Sequence, residues 1–153
     1  INANDFELIE ALADRMYANN IKPEIEVFDA SMITNAVFLQ KKGVLKGPLQ
    51  FNLVMNVPGS ITGTPRNLQY LVDSLPEGST WQVSGIGSSQ VTLLTIAIAM
   101  GGNVRTGLED VLTMSKGVPA TNKMLVERVL RIAEAVGRPI ATADEAREYL
   151  SLT

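Results

Sequence analysis

Four times along this chain a short strand-like run ends in a polar turn and passes into a segment whose apolar residues recur every three or four positions. This alternation constrains the fold more than any other feature. Parallel strands joined by helical crossovers are the common solution for connections this short.

The chain opens with a helical pattern, Phe6, Ile9, Ala13, Met16 and Tyr17, which Asn4 and Glu7 would start as a capping box and Asn19-Asn20 would end. In Glu24-Ile25-Glu26-Val27-Phe28-Asp29 the period becomes two, so Ile25 and Val27 share one face and Glu24 and Glu26 the other. Two readings of those acids stay open: a solvated edge strand, or a barrel interior lined by functional carboxylates. Ser31 or Asp29 caps a helix carrying Ile33, Ala36, Val37 and Leu39, which ends at Lys41-Lys42-Gly43. Residues 51–57 suit a strand buried on both faces, stopped by Pro58-Gly59. Thr64 caps the next helix, with Pro65 in its first position and Leu68, Leu71, Val72 and Leu75 on its core side.

The third strand, Trp81–Gly85, runs through Ile86-Gly87-Ser88-Ser89-Gln90 into the apolar helix Val91–Met100. A glycine-rich turn entering a helix presents backbone N–H groups at the positive end of a dipole, so Gly85, Gly87 and Ser88 are candidate contacts for a phosphate or carboxylate. Tight turn geometry is the competing reason for the glycines. The fourth unit, Gly101-Gly102-Asn103-Val104-Arg105-Thr106-Gly107-Leu108-Glu109-Asp110, holds the densest charge constellation. Asn103, Arg105, Gly107 and Glu109 share one face while the chain is extended, and Leu108 and Asp110 escape that rule once the strand ends. Such a cluster is either a structural ion pair or a ligand site. Residues 113–119 read as a loop. Thr121 opens a helix with Leu125, Val126, Val129, Ala133 and Val136 on one side, and Thr142 with Glu145 boxes a last helix reaching Tyr149-Leu150.

Composition narrows the chemistry. Histidine and cysteine are both absent, which excludes disulfides, thiolate nucleophiles and imidazole shuttles from a chain acting alone. A metal held by this chain alone would have carboxylate, carbonyl and water ligands, which favours magnesium over zinc. A net charge of -3 without basic runs predicts no nucleic-acid partner and no acidic membrane surface. No apolar run nears the roughly 18 residues that span a bilayer, and the start lacks a signal-peptide layout, so a cytoplasmic location is expected. Ile1 stands where a methionine would begin a chain, so residues 1–153 are expected to be a single unit within something longer.

The fold class is therefore α/β with a parallel sheet. An open doubly wound sheet would bind its ligand at a switch point, whereas a (β/α)₈ barrel gathers chemistry at the C-terminal strand ends. A barrel takes eight strands and about 250 residues, so four units make half of one.

The segments Lys22-Pro23-Glu24-Ile25-Glu26-Val27-Phe28-Asp29, Trp81-Gln82-Val83-Ser84-Gly85-Ile86-Gly87, Gly101 to Asp110, and Ala141-Thr142-Ala143-Asp144-Glu145-Ala146-Arg147 together resemble the β-keto acid cleavage enzymes, the family of 3-keto-5-aminohexanoate cleavage enzyme. The resemblance covers nearly the whole chain in the family's motif order. It implies a zinc-dependent (β/α)₈ TIM barrel, of which this chain supplies about four C-terminal β/α units. It also implies an activity that turns a β-keto acid and acetyl-CoA into acetoacetate and a new acyl-CoA. A homo-oligomer is expected.

By the same resemblance Glu109 is a zinc ligand, Asp110 works with substrate as a base, and Arg105 pairs with Asp110 and steers the reacting groups. Glu24 or Glu26 is a further active-site acid, with Glu26 carried forward as catalytic; Gly85, Gly87 and Ser88 would contact acetyl-CoA. Asn103, Val111 and Ser88 depart from the family's histidine, asparagine and frequent arginine. The family's two histidine zinc ligands lie in its N-terminal half, so this chain alone is expected to be inactive. Two other classes of function stand beside this one: a non-catalytic half-barrel that associates through exposed strand edges, and a phosphate- or CoA-binding module acting through residues 85–89.

Overall fold

The computed structural model describes residues 4–152, so Ile1, noted above, lies outside the described residues. Local capping chemistry sets the helix starts. Thr64 accepts from the Asn67 N–H with Pro65 leading α3 (Pro65–Asp73), and Thr121 accepts from the Met124 N–H at the start of α5 (Asn122–Ala135). Thr142 and Glu145 form the reciprocal box of α6 (Ala143–Tyr149). Of the two candidates for the second helix, Asp29 is the cap: it accepts from the Ser31 N–H at 2.9 Å and opens α2 (Ala30–Lys41). That backbone hydrogen bond holds the Asp29 carboxyl below its ordinary pKa. One cap differs from expectation. Asp5, not Asn4, opens α1 (Phe6–Ala18), accepting from the Leu8 N–H at 2.9 Å. Both side chains can cap, and the carboxylate adds a negative charge at the positive end of the helix dipole.

Strands β1 (Glu24–Val27), β2 (Gln50–Met55), β3 (Thr80–Gly85) and β4 (Asn103–Arg105) form one parallel sheet in the order β1-β2-β3-β4. Each strand adds beside its predecessor with no reversal of order, so this sheet has no doubly wound switch point. The register places Glu26 beside Asn52, Asn52 beside Gln82, and Ser84 beside Arg105. The period of two then gives the sheet two unlike faces. One carries Ile25, Val27, Phe51, Leu53, Met55 and Val83, which pack with Leu39 of α2, Leu68 and Leu71 of α3, and Leu93, Leu94 and Ala97 of α4 (Gln90–Ala99). The other carries Glu26, Asn52, Ser84 and Arg105. Helices cover one face and leave a polar face opposite, which is the wall of a (β/α)₈ barrel seen over four units.

Two glycines are fixed by close approach. A Cβ on Gly102 would overlap the indole of Trp81, and one on Gly85 would lie 2.9 Å from the Gln90 Cα, where β3 meets α4. Residues 113–119, expected as a loop, form an antiparallel hairpin of β5 (Thr113–Ser115) and β6 (Val118–Pro119). Gly117, with φ of 77°, turns it. Strands of three and two residues are too short to show a period in sequence. Along α5, Leu125 and Ala133 are buried and Val129 packs on the core, but Val126 and Val136 stay exposed, because the helix meets α4 along a narrow stripe. Among the described residues no helix is long and apolar enough to cross a membrane.

Gly102→Ala forces the half-buried indole of Trp81, which packs against the core, to move. The substitution is expected to destabilise the protein by about 1–3 kcal/mol, read as a lowered urea midpoint. An unchanged midpoint would show that Trp81 relaxes freely.

Candidate active site

The site grows out of the end of β4. After Arg105 the chain leaves the sheet and turns at Gly107, whose carbonyl accepts the N–H groups of Asp110 at 3.0 Å and Val111 at 3.1 Å. The turn folds Asp110 back under Arg105: Nη2 donates to Asp110 Oδ1 at 2.6 Å, with the aspartate side chain 1% exposed. Glu109, on the outside of the turn and 83% exposed, lies 3.7 Å from the same nitrogen. Arg105 Nη1 donates to Glu26 Oε1 at 3.3 Å, joining the two outer strands of the sheet. Desolvation alone would lower the Arg105 pKa. The hydrogen bond and charge of Asp110, then the charges of Glu109 and Glu26, outweigh it and hold the guanidinium above its ordinary value. Its Nε is buried without a partner among the described residues.

Two polar rows cross the same face. Nearer the C-terminal strand ends, Ser84 Oγ donates to Asn52 Oδ1 at 2.8 Å, and Asn52 Nδ2 donates to Glu26 Oε1 at 3.0 Å. One step back along the strands, Glu24 Oε2 accepts from Gln50 Nε2 at 2.8 Å and from Gln82 Nε2 at 3.1 Å. The two readings of the strand acids thus merge: β1 is an edge strand, and both its carboxylates face the polar side of the sheet. Desolvation raises the Glu24 pKa and the charge of Glu26 adds to it, against the opposing pull of Gln50 and Arg105. Sequence reasoning overlooked Asn52 and Ser84. The available signal was a single amide inside the apolar run Phe51–Met55, in phase with Glu24 and Glu26.

The turn proposed for anion binding lies at the C-terminal end of β3. Gly85 allows the close approach to α4, the Gly87 N–H donates to the Asp110 carbonyl at 2.8 Å, and Ser88 is exposed. The Gly87 bond ties this turn to the loop that carries the acids. A cavity of about 460 Å³ opens elsewhere, between α6 and the N-terminal ends of β2, β3 and β4, with Gln50, Thr80, Asn103 and Tyr149 in its lining. It lies at the opposite strand ends from Arg105. For a metal, the described residues contain no cluster of three acidic, histidine or cysteine side chains. Glu109 is one exposed donor, whereas catalytic zinc takes three protein ligands, so a zinc site does not fit this chain by itself.

Fold and site together define a class: a (β/α)₈-barrel wall with its charged cluster at the C-terminal strand ends, where such barrels carry their chemistry. A family model described as beta-keto acid cleavage enzyme matches residues 1–152, and the chain belongs to that family. It is 46% identical over 154 residues to the 3-keto-5-aminohexanoate cleavage enzyme of Acetoanaerobium sticklandii, covering 100% of this chain and 56% of that relative. It is 39% identical over 153 residues to the 3-oxoadipate:acetyl-CoA acetyltransferase of Cupriavidus necator, covering 97% and 54%. The chain thus spans a little over half the length of these relatives. Among solved structures, the apo structure of ObcA superposes with a TM-score of 0.72 at 20% identity, over 97% of this chain and 40% of ObcA, which supports the fold.

The raised Glu24 pKa fixes the sign of a pH effect. The folded state takes up this proton more readily than the unfolded chain, so stability falls as pH rises from the ordinary value of 4.5 through the raised folded value. Glu24→Gln keeps an acceptor for Gln50 and Gln82 and removes that loss. Its urea midpoint relative to wild type is expected to rise between pH 4 and pH 7.5, whereas a difference constant with pH would contradict the assignment.

Proposed function

We propose that this chain is the C-terminal half of a β-keto acid cleavage enzyme, a single unit over residues 1–153 forming one wall of an active site whose other wall belongs to the full-length protein. The proposed reaction joins a β-keto acid, R–CO–CH₂–COO⁻, with acetyl-CoA and yields acetoacetate and R–CO–CoA. The bond between keto carbon and methylene breaks, the methylene carbon bonds to the acetyl group, and the acyl group passes to the CoA sulfur. One observation carries the reading: Arg105 gripped by Glu26 and Asp110 at the strand ends of the polar face. Its context is a family whose relatives are named for keto-acid cleavage and for acetyl-CoA transfer.

The arrangement suits the chemistry. A methylene between a keto group and a carboxylate gives up a proton to a positioned carboxylate when a cation offsets the developing charge. Arg105 supplies that cation, and Asp110 holds it in place from beneath. Glu26, the exposed carboxylate of the two, takes the proton, and Asp110, buried against the guanidinium, acts through Arg105. Glu26 is half-exposed, and its Oε2 has no hydrogen-bond partner among the described residues, which makes it the oxygen open to a bound molecule. Acetyl-CoA is assigned to the turn of Gly85, Gly87 and Ser88, supported by its place beside the α4 N-terminus and by the exposed Ser88; the Gly87 N–H, spent on the Asp110 carbonyl, only sets the turn beside the acid-bearing loop. Glu109 is the carboxylate assigned to zinc. Further ligands would have to come from outside this chain. Assembly with further copies is part of the proposal, supported by Leu112, Val126 and Leu130, which stay exposed.

The test is acetoacetate formation by the full-length protein from acetyl-CoA and a panel of β-keto acids. Asp110→Asn is expected to lower kcat/KM by about 10²–10⁴-fold, and Arg105→Lys, which keeps charge but loses the planar fork, by about 10²–10³-fold. Wild-type rates in either variant, or no acetoacetate from any keto acid, would sink the reading. Glu109→Ala should empty the purified protein of zinc by elemental analysis; retained zinc at full occupancy removes Glu109 as a ligand.

A further inference from the structure

Asn52 and Ser84 lie at 0% exposure in the middle of the sheet, where a polar side chain is costly unless it is paired. They are paired in a chain with one direction. The Ser84 hydroxyl donates to Asn52 Oδ1 at 2.8 Å, which fixes the amide so that Nδ2 faces Glu26 and donates to Oε1 at 3.0 Å. The same Oε1 accepts from Arg105 Nη1 at 3.3 Å. Two donors therefore hold one oxygen of Glu26, while Oε2 has none among the described residues.

We propose that Asn52 and Ser84 are positioning residues: they select which oxygen of Glu26 is held and leave the other open to the substrate. Without the Ser84 hydroxyl the Asn52 amide can turn its oxygen toward the glutamate, and that repulsion pushes the carboxylate off Arg105. The effect travels through Asn52, because among the described residues the Ser84 hydroxyl bonds to Asn52 and not to Glu26. The small serine also leaves room for the arginine and glutamate to meet above it. A core role alone would give both residues the same burial but would not couple them to the turnover carried by Glu26.

This inference rests on the assignment of Glu26 to the acyl-exchange reaction, so it is tested in the full-length protein by two readouts that fail separately. In a double-mutant cycle, Ser84→Ala is expected to lower kcat about tenfold with KM little changed, the kinetic worth of the Asn52–Glu26 hydrogen bond that the Ser84 hydroxyl orients. In a Glu26→Ala background it should lower kcat no further. Additive losses in the cycle overturn the proposal. The second readout needs no turnover. The Asn52 side-chain amide resonances are expected to be slow to exchange with solvent in the wild type and to shift in both Ser84→Ala and Glu26→Ala. Resonances that stay in place in the half-exposed Glu26→Ala variant overturn the relay even if Ser84→Ala fails to fold. A protein inactive on every keto acid sinks the functional assignment, and the amide signals still decide the relay.

Discussion

Arg105 ties the two outer strands of the sheet together. In a flat sheet, β1 and β4 would stand about 14 Å apart, three strand spacings of roughly 4.8 Å. Nevertheless the Arg105 guanidinium lies 3.3 Å from the Glu26 carboxylate. Two features allow this. A sheet that forms a barrel wall curves toward its inner face, and the side chains between the partners are the short Asn52 and Ser84, so two long side chains meet above them. The turn at Gly107 then brings Asp110 beneath the same guanidinium, so a single cation is shared by carboxylates from the first and last units of the chain.

The same division of faces explains why the core is one-sided. Val27, Phe51, Leu53, Met55 and Val83 are fully buried under the helices, each worth about 1.5–3 kcal/mol of apolar burial. The opposite face carries one buried apolar residue of β2, Val54, in phase with Asn52, and is otherwise held by the polar rows. The two ends of the strands also differ. Chemistry collects at the C-terminal ends with Arg105, whereas the N-terminal ends are roofed by α6, where Lys22 Nζ donates to the Leu150 carbonyl at 2.6 Å and Arg138 donates to Ile98 O and Gly102 O.

What was legible in the sequence was local. Thr64-Pro65, Thr121 and the Thr142–Glu145 box announce helix starts because their partners lie within three residues. The period of two places Glu24 and Glu26 on one face and Arg105 on its own, but not the fact that Glu26 and Arg105 touch, since 79 residues separate them. The lone amide in the run Phe51–Met55 marks a polar position, but the pairing of Asn52 and Ser84 is not legible for the same reason: the bonds span 26 and 32 residues. The barrel wall was expected from the length of the chain and the family resemblance, and the unreversed strand order β1-β2-β3-β4 agrees with it. At Gly85 and Gly87 the residues alone leave tight turn geometry and an anion contact both open. Only the fold showed that one meets a helix backbone and the other bonds to the acid-bearing loop. The family resemblance reached Arg105, Glu109 and Asp110 as a motif. The geometry adds that Asp110 is buried beneath the arginine while Glu109 points outward, so the two neighbouring acids, given different roles by the resemblance, also have different surroundings.

The central claim is that the Arg105 cluster on the polar face receives the keto acid. A crystal structure of the full-length protein with a bound β-keto acid tests it most directly. The account predicts oxygen atoms of the ligand within about 3 Å of Arg105 or Glu26 at the C-terminal strand ends. A keto acid seated between α6 and the N-terminal ends of β2, β3 and β4, or on the helical face, would contradict it.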